Sequence, residues 1–361
     1  MQQVVEDVKL KVVDSVAAKG FAAHHAQDQL SPFVFSRRIP GPKDVAIEIL
    51  YCGVCHTDVH LVRNDWGISI YPIVPGHEIV GRVVNVGSEV TKFTAGDIAG
   101  VGCLVDSCRH CDNCKHGLEQ YCENGWTLTY NSLDKDGKTP TFGGYSNTIV
   151  VDERFVLKVS PNLNLKNVAP LLCAGITTYS PLRYWKVGAG QKVGIVGLGG
   201  LGHMAVKFAA SFGAEVTILS RSPEKAADAI NLGAAKFVLT TDEESVKKVA
   251  GYFDFILDTV AVEHDYNLYL GMLRSRGTMV CVGIPTTNIQ ASPLGVIFFG
   301  RTLAGSLIGG LPETQEMLDY CAEKNITADV EMINMKDVNQ CYERLIKGDV
   351  RYRFVIDMAT L

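Results

Sequence analysis

Lys192-Val193-Gly194-Ile195-Val196-Gly197-Leu198-Gly199-Gly200-Leu201-Gly202 sets a strongly apolar run against a complete Gly-x-Gly-x-x-Gly turn, and His203 to Phe212 continues with helical spacing. Such a turn lets backbone amides and a helix N-terminus face a pyrophosphate. The glycine pattern alone is weak, and the strand before it and the helix after it supply the context it needs.

On either side of this unit the chain alternates. Val168 to Trp185 reads as a helix, Glu215 to Leu219 as a strand, Pro223 to Leu232 as a helix, and Lys236 to Leu239, Phe255-Ile256-Leu257 and Thr278 to Val282 as further strands. Apolar strands joined by helical crossovers specify a parallel sheet with helices on both faces, the doubly wound nucleotide-binding architecture. Upstream, from Val45 to about Val159, short alternating strands separated by glycine and proline (Val45 to Ile49, Ile79 to Val86, Tyr145 to Val151) indicate an antiparallel β region. Beyond Gly310 the alternation stops. Helices at Pro312 to Glu323 and Val338 to Gly348 and a strand at Tyr352 to Ile356 are expected to pack back on the first domain. The fold class is therefore α/β, with residues 1–168 and 310–361 forming a β-rich domain and residues 169–309 a Rossmann domain.

A chain of 361 residues exceeds the size at which single cores usually stop growing, which agrees with two domains. A net charge of −5 lacks the basic footprint of a nucleic-acid binder, so no nucleic-acid partner is expected. The opening Met1-Gln2-Gln3, followed by Glu6, Asp7, Lys9 and Lys11, lacks the apolar block of a signal peptide, and no run reaches the roughly 20 apolar residues that cross a bilayer. The reading is cytoplasmic, with no membrane partner. In a reducing compartment the 11 cysteines serve as metal ligands or buried thiols rather than as a disulfide framework.

Cys108-x-x-Cys111-x-x-Cys114, followed by Cys122, can place four sulfurs around one ion. Four thiolates satisfy Zn²⁺ and leave no open position, so this site is expected to be structural. Four core thiols are a poor alternative, because Arg109, Asp112, Asn113 and Lys115 lie between them. A nucleic-acid-binding zinc ribbon is disfavoured by the acidic balance. His110 and His116, in the same loop, read as surface residues. A sparser set, Cys55, His77, Glu78 and the distant Cys173, offers thiolate, imidazole and thiolate with a fourth position for water or substrate, as catalytic zinc requires. Spacing alone does not establish it: Cys55 and Cys173 are far apart, and a lone His77 on an apolar background is more often a satisfied core histidine than a ligand.

The cofactor depends on the end of the strand after the glycine turn, where NAD-binding sites usually place an acid against the ribose 2′-OH. Here Ser220-Arg221-Ser222 stands instead, and a guanidinium suits a 2′-phosphate, which favours NADP(H), with Lys225 assisting. The plainer alternative makes Arg221 an ordinary solvated loop residue.

Taken together, the Cys55-His56-Thr57-Asp58 segment, Gly76-His77-Glu78, the four-cysteine loop, Leu172-Cys173-Ala174-Gly175 and Gly197 to Gly202 resemble the zinc-dependent medium-chain alcohol dehydrogenases. Ser220-Arg221-Ser222 and Gly305-Ser306 are similar to the cinnamyl alcohol dehydrogenase branch, with its broad-specificity NADP-dependent aldehyde reductases. The resemblance covers nearly the whole chain from Pro40 onward. It implies a GroES-like catalytic domain beside the Rossmann domain, two zinc ions per chain, and hydride exchange between NADP(H) and a primary alcohol or aldehyde. It further implies that Cys55, His77 and Cys173 hold the catalytic zinc with Glu78 as an exchanging ligand. Thr57 and His60 would relay the alcohol proton, Asp58 would orient His77, and the chain would form a homodimer. Trp66 and Trp126 border the substrate pocket by analogy, and each is equally readable as a core residue.

Other residues take plainer readings. Cys52, Cys103 and Cys281 read as small core residues, and Cys321 and Cys341 fit amphipathic helices. His24, His25 and His264 read as surface residues, His56 as a packing residue or a neighbour of the cofactor phosphates, and His203 as a packing or capping residue. Two other functions compete: a polyol or formaldehyde-type dehydrogenase, and a non-catalytic NADPH-binding protein, which would have no need of Cys55, Thr57 and Cys173 together.

Overall fold

The computed structural model describes residues 15–361. The polar opening segment from Met1, and with it the start of the first domain, lies outside the described residues. Six parallel strands form the nucleotide-type sheet, in the order Lys236–Leu239, Glu215–Ser220, Lys192–Val196, Phe253–Asp258, Leu273–Cys281, Thr302–Gly305. The chain reverses direction across the sheet between Lys192–Val196 and Phe253–Asp258, and a crevice opens at the carboxyl ends of strands at such a point. Val193, Ile195, Val216, Ile218 and Leu257 are all fully buried, because helices cover both faces of the sheet.

The second sheet has seven strands. Asp44–Val54 lies at its centre, paired antiparallel with Ile79–Val86 along one edge and, along the other, with Thr148–Asp152 at its start and Arg353–Asp357 at its end. Val330–Asn334 extends it in parallel beyond Arg353–Asp357. The C-terminal segment thus packs back on the first domain as expected, and does so by direct strand pairing, with Phe354 opposite Val54 and Ile356 opposite Cys52.

Three features differ from the sequence reading. A two-stranded ribbon, Ser15–Ala22 with Ser31–Arg38, precedes the β region that begins near Val45; its first strand, Ser-Val-Ala-Ala-Lys-Gly-Phe-Ala, is rich in residues that disfavour strands. Thr302–Gly305 adds a sixth parallel strand, a short edge strand without full burial. The single helix read over Val168 to Trp185 is interrupted. Leu165–Val168 and a 3₁₀ turn, Ala169–Leu172, are separated from Ala174–Tyr184 by Cys173, whose φ of −131° and ψ of −68° are not helical.

Candidate active site

The interruption at Cys173 is what brings its thiol to the first domain. Sγ of Cys55 and Cys173, a ring nitrogen of His77 and a carboxylate oxygen of Glu78 lie within 4.8 Å of one another. Three elements place them: Cys55 caps the helix His56–Arg63, His77 and Glu78 lead into strand Ile79–Val86, and Cys173 precedes Ala174–Tyr184. The hydrogen bond with the Cys173 thiol is the main influence holding the Cys55 thiol well below its ordinary range, which favours a thiolate there.

Asp58 organises this cluster from beneath. Its carboxylate is fully buried yet saturated: it accepts from Cys55 N–H at 2.8 Å, Gly76 N–H at 3.1 Å and Tyr130 O–H at 2.7 Å, and meets His77 Nδ1 at 3.2 Å. A buried carboxylate is tolerable only when so many donors replace water. With Nδ1 engaged, Nε2 of His77 is the nitrogen left for an ion, and a carboxylate partner fixes that tautomer. Tyr130 also stacks on the imidazole, centroid to centroid 5.8 Å.

Glu78 is equally buried, and its Oε1 pairs with the guanidinium of Arg353, itself 3% exposed. Its Oε2 finds no partner. Burial pushes the Glu78 carboxyl up to about 7, against the pull of Arg353. A buried, unpartnered carboxylate oxygen beside two thiols and an imidazole is the donor chemistry of a zinc site, and the spacing fits ligands about 2.0–2.3 Å from one ion. Arg353 was not foreseen; a lone arginine in a terminal strand carries no sequence signal of its partner 275 positions away.

Thr57 Oγ1 lies 3.6 Å from Cys55 Sγ, and His60 one helical turn on holds Asp65 through Nδ1 at 2.7 Å. Asp65 is a second residue missed in the sequence, although its spacing of five from His60 on the way out of the helix was available. Trp66 packs on His60, 5.0 Å between ring centroids, and both Trp66 and Trp126 line the cavity. Cys103, read as a core residue, also lines it, within hydrogen-bonding reach of Cys173.

In the cysteine loop, Cys108 Sγ is 3.9 Å from Cys114 Sγ and Cys111 Sγ is 4.0 Å from Cys122 Sγ. A tetrahedron of sulfurs about 2.3 Å from its centre has edges of roughly 3.8 Å, whereas a disulfide would bring sulfurs to about 2.05 Å. Backbone N–H groups of Cys108 and Cys111 and the Asn124 amide point at these sulfurs, as thiolates require. His110 and His116 face backbone carbonyls at the surface and stand apart from the set.

The glycine turn and the Cys55 cluster open onto one cavity of about 760 Å³. Gly197 has φ +87°, and a Cβ on Gly202 would lie 2.2 Å from the Gly197 carbonyl oxygen, so both positions require glycine. At Gly199 a Cβ would meet no protein atom within 4 Å, so the protein leaves that backbone open on the cavity side, as close approach of a pyrophosphate demands. Leu198, Gly200 and Leu201 line the same wall. At its far end stand Ser220, exposed Arg221, Ser222 and Lys225, whose Nζ donates to the Leu198 carbonyl at 3.0 Å. His203 is fully buried, stacked on Tyr352 at 4.9 Å, a packing role as read. His264, read as a surface residue, is not: its side chain is 7% exposed against Asp258.

Comparison with known proteins extends over nearly the whole chain. Residues 41–161 match the alcohol dehydrogenase GroES-like domain and residues 200–323 the zinc-binding dehydrogenase family. The NADP-dependent alcohol dehydrogenase C 1 of Mycolicibacterium smegmatis is 53% identical, over 94% of this chain and 98% of its own. The aldehyde reductase YahK of Escherichia coli is 52% identical, over 95% and 99%. Among solved structures, a cinnamyl alcohol dehydrogenase of Sorghum bicolor superposes with a TM-score of 0.93 at 48% identity, covering 95% of this chain and 98% of that one. Among the described residues no helix is long and apolar enough to cross a membrane.

Proposed function

We propose that this chain, which belongs to the zinc-dependent alcohol dehydrogenase family, exchanges hydride between NADP(H) and primary alcohol/aldehyde pairs, aromatic or aliphatic, and reduces aldehydes in the cell. One observation carries the reading: Cys55, His77 and Cys173 of the metal-suited cluster and the glycine turn line a single cavity, so that a substrate carbonyl and a nicotinamide could meet there. Cys55, His77 and Cys173 are the proposed ligands of a catalytic zinc, with Glu78 held aside by Arg353, and Cys108, Cys111, Cys114 and Cys122 those of a structural one. Gly197 to Gly202 would cradle the pyrophosphate, and Ser220, Arg221, Ser222 and Lys225 the 2′-phosphate.

When bound, zinc supplies an electrophile for the substrate oxygen and NADPH supplies the hydride. The chain's own residues manage the proton and the geometry. Thr57 passes a proton to the product oxygen through its hydroxyl, and His60, steadied by Asp65, connects that hydroxyl to solvent. Asp58 keeps His77 in the ligating tautomer. Apolar walls from Leu104, Leu128, Leu307 and the rings of Trp66 and Trp126 suit benzylic or aliphatic aldehydes.

The domain division at residues 168/169 and 309/310 belongs to this proposal, as does a cytoplasmic setting, which keeps thiolate ligands reduced. So does a homodimer through the nucleotide-sheet edge, where Leu294, Ile297 and Phe298 are 63%, 72% and 75% exposed beside the edge strand Thr302–Gly305. The test is a panel of aldehydes assayed with NADPH and NADH, alongside Cys173→Ala. Turnover of benzaldehyde-type substrates with NADPH, abolished in a folded Cys173→Ala protein, is expected; undiminished turnover in that variant would overturn the reading.

A further inference from the structure

His264 engages both ring nitrogens. Nδ1 lies 2.8 Å from the Val262 carbonyl oxygen and Nε2 lies 3.0 Å from Asp258 Oδ2. A carbonyl and a carboxylate only accept, so both bonds form together when both ring nitrogens carry protons. The imidazolium then clips the loop that leaves strand Phe253–Asp258, joining the last residue of the strand to Val262 in the middle of the loop.

That loop is a wall of the dinucleotide cavity, which Thr259, Val260, Ala261 and Val262 all line. It abuts the glycine turn directly: a Cβ on Gly197 would meet Val260 Cγ2 at 3.1 Å and Thr259 Oγ1 at 3.2 Å, and Thr259 Oγ1 donates to the Val196 carbonyl at 2.7 Å. The remaining acceptor on Asp258, Oδ1, takes the Val260 N–H at 3.1 Å. Both oxygens of Asp258 are therefore committed to shaping this loop.

We propose that His264 is a positioning residue for the cofactor: as an imidazolium bridging Asp258 and Val262, it fixes the Thr259 to Val262 wall, and cofactor affinity falls when it loses its proton. The inference rests on reading the cavity as the NADP(H) site.

The groups facing His264 come from four elements: Asp258 at the strand end, Arg221 from the turn after Glu215–Ser220, Tyr266 and Tyr269 from helix Tyr266–Met272 at 4.3 and 5.7 Å between rings, and Cys281 against Asp258 from the adjoining strand. Glu263 and Asp265 flank it in sequence. Tyr266 and Cys281 are both pushed up to about 12 by burial, so they stay neutral where the imidazole titrates. Burial and Arg221 lower the affinity of His264 for its proton, but the bonds to Asp258 and Val262 prevail and hold it above the ordinary 6.5. The clip is accordingly present below that raised value and lost as pH rises through it.

The experiment is direct titration of the zinc-loaded enzyme with NADPH and with NADH, followed by nicotinamide fluorescence from pH 6 to 9.5. NADH is included because a phosphate's own second ionisation lies near about 6. In the unaltered chain Kd for both cofactors is expected to rise roughly tenfold with pH, the size of one charge-assisted hydrogen bond. His264→Gln, whose single donor nitrogen cannot take the place of both ring nitrogens, is expected to bind both about tenfold more weakly at pH 6.5, with a flat pH profile for NADH and a far smaller change in kcat at saturating cofactor. Asp258→Asn is expected to move the inflection to lower pH, and it decides the matter alone where His264→Gln unfolds. A His264→Gln protein with the original Kd and profile, or an unmoved inflection in Asp258→Asn, overturns the proposal. No NADPH binding to the unaltered chain at any pH would instead sink the reading of the cavity itself.

Discussion

Single side chains set the specificity and the metal affinity proposed for this molecule. Arg221→Ala should raise KM for NADPH by about 10- to 100-fold, the value of a charged hydrogen bond to phosphate, while KM for NADH changes little. Steady-state kinetics with both cofactors checks this, and equal effects would make Arg221 an ordinary loop residue. Asp58→Asn removes the carboxylate that steers His77, and zinc retention against a chelator should fall about 10- to 100-fold; unchanged retention would show that Tyr130 and packing orient the ring unaided. Residues with local spacing, such as Cys108 to Cys122 or Gly197 to Gly202, were legible in the sequence because each set closes on itself within one loop. The Glu78–Arg353 pair and the His264–Asp258 clip were not. Glu78 and Arg353 meet only once the strands of the seven-stranded sheet have paired, and a histidine six residues past an aspartate looks the same whether or not the loop turns back to join them.

Elements show where periodicity misleads. The apolar spacing from Val168 to Trp185 reads as one helix, yet the turn at Cys173 breaks it, and that break delivers the thiol. The cysteine loop, for its part, braces the C-terminal segment: Glu119 Oε2 accepts the N–H of Leu311 at 2.9 Å, at the start of helix Leu311–Lys324, and Tyr121 O–H accepts that of Leu307 at 3.0 Å. Glu119→Ala should cost about 1 kcal/mol, as loss of a helix cap does, seen as a lower denaturant midpoint; an unaltered midpoint would rule the cap out. In helix Gly202–Ser211, burial first, then Lys207 and Arg353, pushes His203 down to about 3. Its contribution is complete above pH 6.5 and is lost as pH falls, because the unfolded chain takes up the proton first. His203→Phe should therefore remove about 3 kcal/mol of the stability difference between pH 7 and pH 4, and identical acid sensitivity in the two proteins would refute this.

At the scale of the whole molecule, the two-domain division was legible from texture alone, since continuous apolar strands and alternating ones look different on the page. The ribbon Ser15–Ala22 with Ser31–Arg38 and the short edge strand Thr302–Gly305 were not, being half-exposed and poor in β-branched residues. The apolar turn around Ile297 and Phe298 makes assembly testable. Phe298→Asp should convert a dimer to a monomer by light scattering, with the zinc content unchanged; a dimer that survives would place the interface elsewhere. The pairing of Arg353–Asp357 with Asp44–Val54 has a consequence for biosynthesis. A chain emerging from the ribosome can assemble its nucleotide half at once, but the earlier half must wait, unfinished, for Arg353–Asp357, which is translated after that half. Until Arg353 arrives, Glu78 has no counter-charge, so the nascent first domain reaches its chemically competent form only after that strand has been made.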